Sequence, residues 1–269
     1  MTSGMDRVEL DGAFLYRWRV FAPWSTEVAF GVTCRPGGAS DAPFTGLNLG
    51  QAVGDDPGSV FENRQMAARL LGAAEDASWA FGDQVHGTRI MEVSPSFDPG
   101  DAPFPATDGV ILTEPGVIAA VLLADCLPVA VYDPVRKTGA LCHAGWRGTL
   151  AGIAATAVDR LVAGGSTRED LVAAAGPGIG LCCFEVGGDV AEQFLGEGRL
   201  AAAVEQDSEG IFRIDLEEAN LIVLKEAGLR EDRIGRGGFC TACRPSEFYS
   251  YRKENGVTGR HAALMTLFE

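Results

Sequence analysis

Histidine is scarce in this chain: its 269 residues hold only three, His86, His143 and His261. A multicopper oxidase needs a His-rich set of sites, and so short a supply argues against one. Positive charge is also thin, with 22 Lys and Arg against 37 Asp and Glu, for a net charge of −15. Surfaces that bind nucleic-acid backbones or anionic membranes need clustered cations, so neither partner is expected. Any anionic ligand must instead be met by a few local arginines. Long apolar runs are missing too. The longest, Val117–Ala124, falls far short of the roughly 20 residues a membrane-spanning helix requires.

No basic start followed by an apolar run marks a secretory signal. The seven cysteines form no regular framework, which fits a reducing cytoplasm better than a disulfide scaffold. Internal repeats, low-complexity tracts and shifts of composition are all absent. With 46% hydrophobic residues a core is readily built. The expectation is a cytoplasmic chain with one domain over residues 1–269, monomeric by default.

What is present centres on residues 117–149, VIAAVLLADCLPVAVYDPVRKTGALCHAGWRGT. Three short apolar runs, Val117–Ala124, Pro128–Tyr132 and Gly139–Cys142, read as strands buried on both faces. Reactive side chains stand only where strands stop: Asp125 and Cys126 after the first, His143 and Arg147 after the third. Polar groups at the ends of buried strands are how a rigid sheet presents chemistry.

Elsewhere, strands are expected within residues 1–27 and over Val28–Thr33. Ser59-Val60-Phe61-Glu62 has the form of a capping box and predicts a helix from there to about Leu71, stopped by Gly72. Residues 79–93 read as strand broken at Gly82 and Gly87, with His86 in the break. The four prolines of residues 94–106 predict a loop. Apolar residues at helical spacing predict one amphipathic helix over 149–163. Leu171–Ala175 reads as a strand, and Gly188–Leu195 and Asp215–Ala227 as helices. The C-terminal tail reads as loops and short strands. Strands and helices mix without strict alternation, which favours an α+β fold.

His86 and His143 lie beside glycine at the ends of apolar runs, where an imidazole is accessible while its backbone is held. Taken singly, each reads as a packed or surface histidine, and Cys126 as an inert buried thiol. Together they make a three-ligand set that zinc accepts, with a fourth position for water. Their separations match no compact zinc motif. His143 to Gly148 runs from strand into helix, where free N–H groups and the Arg147 guanidinium suit phosphate or carboxylate; a capped turn with a solvated arginine reads equally well. Cys240 to Cys243 is one CxxC without a second pair near it, which argues against a zinc ribbon, and the adjacent Cys182 and Cys183 read as structural. The signature of the zinc nucleobase deaminases is absent.

These pieces together resemble the laccase-domain family, once described as multicopper polyphenol oxidases and now regarded as purine nucleoside phosphorylases with adenosine deaminase activity. The matching segments are TGLNLG with GDDP and ENR (45–64), QVHG (84–87), DG (108–109), ADCLP (124–128), HAGWRG (143–148) and GPGIG with CFEV (176–186). CT (240–241), FYSYR (248–252) and TGR (258–260) complete a set that covers nearly the whole chain. Two departures are visible: the family's TTRxGGVS stands here as residues 33–40, TCRPGGAS, and its CYEV as CFEV (183–186).

The resemblance implies zinc held by His86, Cys126 and His143, and a layered α/β/β/α sandwich with mixed sheets like that of cysteine hydrolases. It implies a purine nucleoside and phosphate as substrates. On that reading Asp125 carries a proton or supports a ligand, while Asn48, Arg64, Arg147 and Gln84 lie near the phosphate or ribose. The rival is a metal-free thiol hydrolase or amidase, with Cys126 as nucleophile, His143 as its base and the Arg147 helix end at the oxyanion. A third reading is a metal-dependent binding module without turnover. A polyphenol oxidase, with copper as its metal, ranks last on the histidine count.

Overall fold

The computed structural model describes residues 4–74, 76–94 and 103–269. The chain opens with strands β1 (Met5–Leu10), β2 (Ala13–Trp18) and β3 (Val28–Thr33), followed by helix α1 (Pro57–Leu71). Next come β4 (Ser78–Phe81), β5 (Ile90–Val93), β6 (Gly109–Leu112), β7 (Val117–Leu123), β8 (Leu127–Asp133) and β9 (Thr138–Ala144). Helices α2 (Trp146–Leu150) and α3 (Ile153–Ala163) precede β10 (Val172–Ala175), β11 (Glu185–Val186) and α4 (Gly188–Gly196). The remainder is β12 (Val204–Gln206), β13 (Phe212–Ile214), α5 (Leu216–Glu226), β14 (Ile234–Arg236) and β15 (His261–Leu267).

The result is mixed α+β, built on two six-stranded mixed sheets, β1-β2-β3-β15-β7-β4 and β14-β10-β8-β9-β6-β5, with a small sheet β11-β13-β12. One core joins the two large sheets: Phe30, Val121 and Met265 from the first meet Val110, Tyr132 and Leu141 from the second. On the outer face of the first sheet, Ala67, Leu70 and Leu71 of α1 pack over Leu15, Ile118 and Leu264. On the outer face of the second, Ile153, Ala157 and Leu161 of α3 and Ala219 and Val223 of α5 cover Val129, Val131, Ala140 and Ala173. Each large side chain so buried contributes about 1.5–3 kcal/mol. Both faces of the central strands are therefore covered, and that is why these strands are mostly apolar, β7 at every position.

Several elements differ from their sequence signals. Helix α1 begins at Pro57, not Ser59: Asp56 is the N-cap and its carboxylate accepts from the Ser59 backbone N–H at 2.8 Å. The S-x-x-E pattern thus lies within the helix, running from its first turn into its second. The helix expected over 149–163 is two, because Gly152 adopts φ +80°, a left-handed conformation that ends α2 before α3 starts. The tail ends in a seven-residue strand, β15, that pairs with both β3 and β7 in the middle of its sheet. Of the proline-rich segment 94–106, residues 95–102 lie outside those described. Among the described residues no helix is long and apolar enough to cross a membrane.

The three consecutive apolar runs do not form one sheet. β7 belongs to the first sheet while β8 and β9 pair as a hairpin in the second. Residues Ala124, Asp125 and Cys126 are the crossing between layers, and Asp125 makes the turn with φ +92°. That crossing places chemistry where the two sheets part.

Candidate active site

Three separate segments deliver the candidate ligands. His86 sits in the connection between β4 and β5 with φ +62°. Cys126 ends the crossing from β7, and His143 is the next-to-last residue of β9, opposite Pro128 in the ladder. Their ligand atoms all lie within 4.8 Å of one another. Cys126 Sγ stands 3.7 Å from His86 Nε2, and the two imidazole rings meet edge to face with centroids 4.8 Å apart.

A fourth residue organises the cluster. The Asp108 carboxylate, fully buried just before β6, accepts from the backbone N–H groups of Val85, His86 and Gly87 at 3.1, 2.9 and 2.8 Å. It also meets His143 Nδ1 at 2.9 Å. Facing a carboxylate, Nδ1 carries the proton, so Nε2 of His143 is left as a donor for a cation. Burial pushes the Asp108 carboxyl up, but the bonds from His143, Gly87 and Val85 outweigh it and hold its pKa below the usual value. Without a metal the thiol and imidazole polarise each other. Burial raises Cys126, yet His143 and His86 bring it down to about 6. Burial lowers His143, yet Cys126 and Asp108 raise it to about 9.

Gly145, between β9 and α2, is required by space. A Cβ there would stand 2.5 Å from His86 Cδ2 and 3.1 Å from Cys126 Sγ. Gly145→Ala is therefore expected to push His86 off its position and weaken metal binding about 10-fold or more, as outer contacts of a metal site do. Competition against a chromophoric chelator reads this; wild-type affinity in the variant would contradict the packing argument.

The cluster opens into a cavity of about 1430 Å³. Its lining includes Trp79, Phe81, Phe184 and Tyr251, together with Arg64, Gln84, Asp125, Arg252 and Arg260. Arg64 lies over the Phe81 ring at 4.4 Å and donates to the Leu49 carbonyl. Gln84 extends the pairing of β4 with β7: its amide donates to the Leu122 carbonyl and accepts from the Leu122 N–H. Both ends of that side chain are used by backbone, so it positions the His86 segment.

Besides Gln84, three more of the expected residues have their surroundings set by the fold. Asn48 is fully buried and does not line the cavity. Its amide spends its bonds on Asp55, Gly50 and the Arg260 N–H, which it accepts at 2.7 Å. Asn48 thus fixes Arg260 rather than meeting a phosphate itself. Arg147 is exposed, does not line the cavity, and lies over the Trp146 ring at 4.2 Å. Helix α2, which starts at Trp146, is only five residues long, and of residues 143–148 the cavity lining takes His143 and Trp146. Asp125 does line the cavity, but Oδ1 accepts from the Thr241 hydroxyl and Oδ2 from the Arg252 N–H, both at 2.7 Å. Those bonds suit a positioning group better than a proton carrier.

Sequence reasoning assigned no role to Asp108, Arg252 or Arg260. The only signal for them was their place in the DG, FYSYR and TGR segments. Arg260 is half-buried: its Nη1 donates to the carbonyls of Thr258 and Gly259, and its desolvation lowers its pKa.

Comparison with known proteins agrees with this architecture. Residues 29–268 match the family model described as multi-copper polyphenol oxidoreductase laccase. A purine nucleoside phosphorylase of Pseudomonas aeruginosa is 40% identical over 240 residues, covering 88% of this chain and 92% of that one. A protein of an unknown prokaryotic organism named adenosine deaminase is 32% identical, over 81% of this chain and 85% of that one. The crystal structure of YlmD from Geobacillus stearothermophilus superposes with a TM-score of 0.88 at 34% identity, covering 97% of this chain and 98% of that one.

Proposed function

Since the chain belongs to the multi-copper polyphenol oxidoreductase laccase family, we propose that it is a zinc-dependent enzyme of purine nucleosides. Its reactions on this reading are phosphorolysis of adenosine, inosine, guanosine or methylthioadenosine, and deamination of adenosine to inosine. The chain acts as one catalytic domain. The observation that carries the proposal is the convergence of His86, Cys126 and His143 in a cavity walled by aromatic rings and arginines. Relatives named for both activities support it.

The donor set suits zinc: one thiolate and two imidazoles leave a tetrahedral position open, and Asp108 holds His143 in the tautomer a metal needs. When bound, the ion supplies Lewis-acid chemistry at that open position. The chain's own groups do the rest. Trp79, Phe81, Phe184 and Tyr251 offer flat faces for a purine. Arg64, Arg252 and Arg260 offer cations to phosphate within an otherwise acidic protein. Asp125 ties Thr241 and the Arg252 backbone to the layer crossing and so fixes that wall.

The test is to incubate zinc-loaded protein with adenosine, with and without phosphate, and to look for inosine, adenine and ribose-1-phosphate. No product from fully loaded protein would sink the proposal. Arg260→Met is expected to lower kcat/KM for phosphorolysis about 10- to 100-fold, the worth of one charge-assisted phosphate contact. Deamination, which uses no phosphate, should change far less. Equal losses in both would remove Arg260 from the phosphate site.

A second reading has its own support. The metal-free pair, Cys126 at about 6 and His143 at about 9, is a thiolate beside an imidazolium, as thiol hydrolases use. Amide hydrolysis by metal-free protein, abolished by zinc, would favour it. An oxidase with several coppers lacks donors: His261, the remaining histidine, is buried in β15 outside the cluster.

A further inference from the structure

Outside the cavity lining, the fold assembles a second set of metal-ligating side chains. Cys182 and Cys183 follow the Gly176–Gly180 turn, and Cys240 and Cys243 form the CxxC that had no second pair near it in sequence. The missing pair comes from about 60 positions earlier. All four sulfurs lie within 4.8 Å of one another. Cys243 Sγ is 3.5 Å from Cys182 Sγ and 3.4 Å from Cys183 Sγ, and the Gly180 N–H donates to Cys240 Sγ at 3.2 Å.

We propose that Cys182, Cys183, Cys240 and Cys243 form a structural zinc site, separate from the His86, Cys126 and His143 cluster. A tetrahedral zinc with Zn–S bonds of about 2.3 Å sets its sulfurs about 3.8 Å apart, close to the spacings here. Disulfides would need about 2.0 Å. A polynuclear iron–sulfur cluster gives its thiolates to different irons, which spreads the sulfurs wider than around a single ion. Four thiolates this close repel one another unless a cation sits between them, and binding zinc releases their protons. The N–H of Gly180 toward Cys240 is the kind of outer contact that orients a metal thiolate.

The site would clasp one wall of the cavity. Gly178 bridges to Cys240, and the Thr241 N–H donates to the Gly178 carbonyl at 3.0 Å. Thr241, inside the CxxC, is the partner of Asp125. Ile179 and Phe184, which flank the cysteine pair, line the cavity, and Arg252 Nη1 donates to the Cys183 carbonyl at 3.3 Å. Two segments distant in sequence are thereby pinned against the layer crossing.

Elemental analysis of full-length protein purified without chelator tests this. Wild type is expected to carry two zinc ions per chain, and Cys182→Ser/Cys243→Ser one. His86→Ala/Cys126→Ala should also carry one, and its cobalt-substituted form should show the intense visible bands of a tetrahedral four-sulfur site. Should the serine variant fail to fold, thiol counting on wild type decides. Cys182 and Cys243 are exposed, yet all four sulfurs should resist a thiol reagent until a strong chelator is added. The proposal is overturned by immediate reaction of four thiols, by a mass four hydrogens low (two disulfides), or by equal zinc in wild type and the folded serine variant.

Discussion

Replacing Asp108 by asparagine is expected to weaken zinc binding at the His86, Cys126 and His143 cluster about 10- to 100-fold and to destabilise the chain by about 3 kcal/mol. The carboxylate accepts four bonds: three from consecutive backbone N–H groups of the His86 segment and one from His143 Nδ1. An amide offers one acceptor oxygen, so one half of the cradle would turn an NH₂ group toward donors. At least one or two buried donors lose their partner, each at about 1–3 kcal/mol. His143 also loses the anion that keeps its proton on Nδ1, and the tautomer with Nε2 free is no longer favoured. Zinc competition titrations and urea unfolding read the two effects separately. Wild-type zinc affinity in a folded Asp108→Asn protein would show that the carboxylate only staples the loop.

Asp108 also shows where sequence reading stops. The buried strands around the site are legible because their apolar runs are local and uninterrupted, whereas His86, Cys126 and His143, whose spacing matches no compact zinc motif, stand out as a set only through the QVHG, ADCLP and HAGWRG segments of the family resemblance. A carboxylate whose four donors come from two other segments leaves no local trace beyond an Asp-Gly pair. Asn48 and Arg147 illustrate the opposite case: each residue type suits phosphate, but spacing does not report that Asn48 is buried outside the cavity lining or that Arg147 lies over the Trp146 ring. The Asp56 cap was hidden by the more conspicuous Ser59–Glu62 pattern one turn later. From sequence the tail reads as loops and short strands because the partners of β15, β3 and β7, lie far away along the chain. The same non-locality hid the four-cysteine cluster, whose two pairs are each uninformative alone.

His261→Leu is expected to flatten the acid limb of the stability curve. His261 lies fully buried in β15, opposite Leu123 in the ladder and beside the Phe248 and Tyr249 rings, and among the described residues neither ring nitrogen has a hydrogen-bond partner. Burial, with Arg260 adding to it, pushes its pKa down to about 3. The unfolded chain carries the ordinary value of about 6.5. Above that pH the imidazole is neutral in both states and contributes no pH dependence. Between about 6.5 and 3 the unfolded chain takes up a proton that the folded chain refuses, so stability falls by about 1.4 kcal/mol per pH unit. Leucine binds no proton in either state. At pH 7 the variant should lie within about 1 kcal/mol of wild type, because losing two unpartnered polar atoms offsets the change of shape. By pH 4 wild type should have lost about 3 kcal/mol relative to the variant. Every other titrating group is shared, so the difference between two urea-unfolding series isolates this one imidazole. Parallel curves from pH 7 to pH 4 would mean that the folded protein admits the proton, and that the interior around β15 is wetter than its packing indicates.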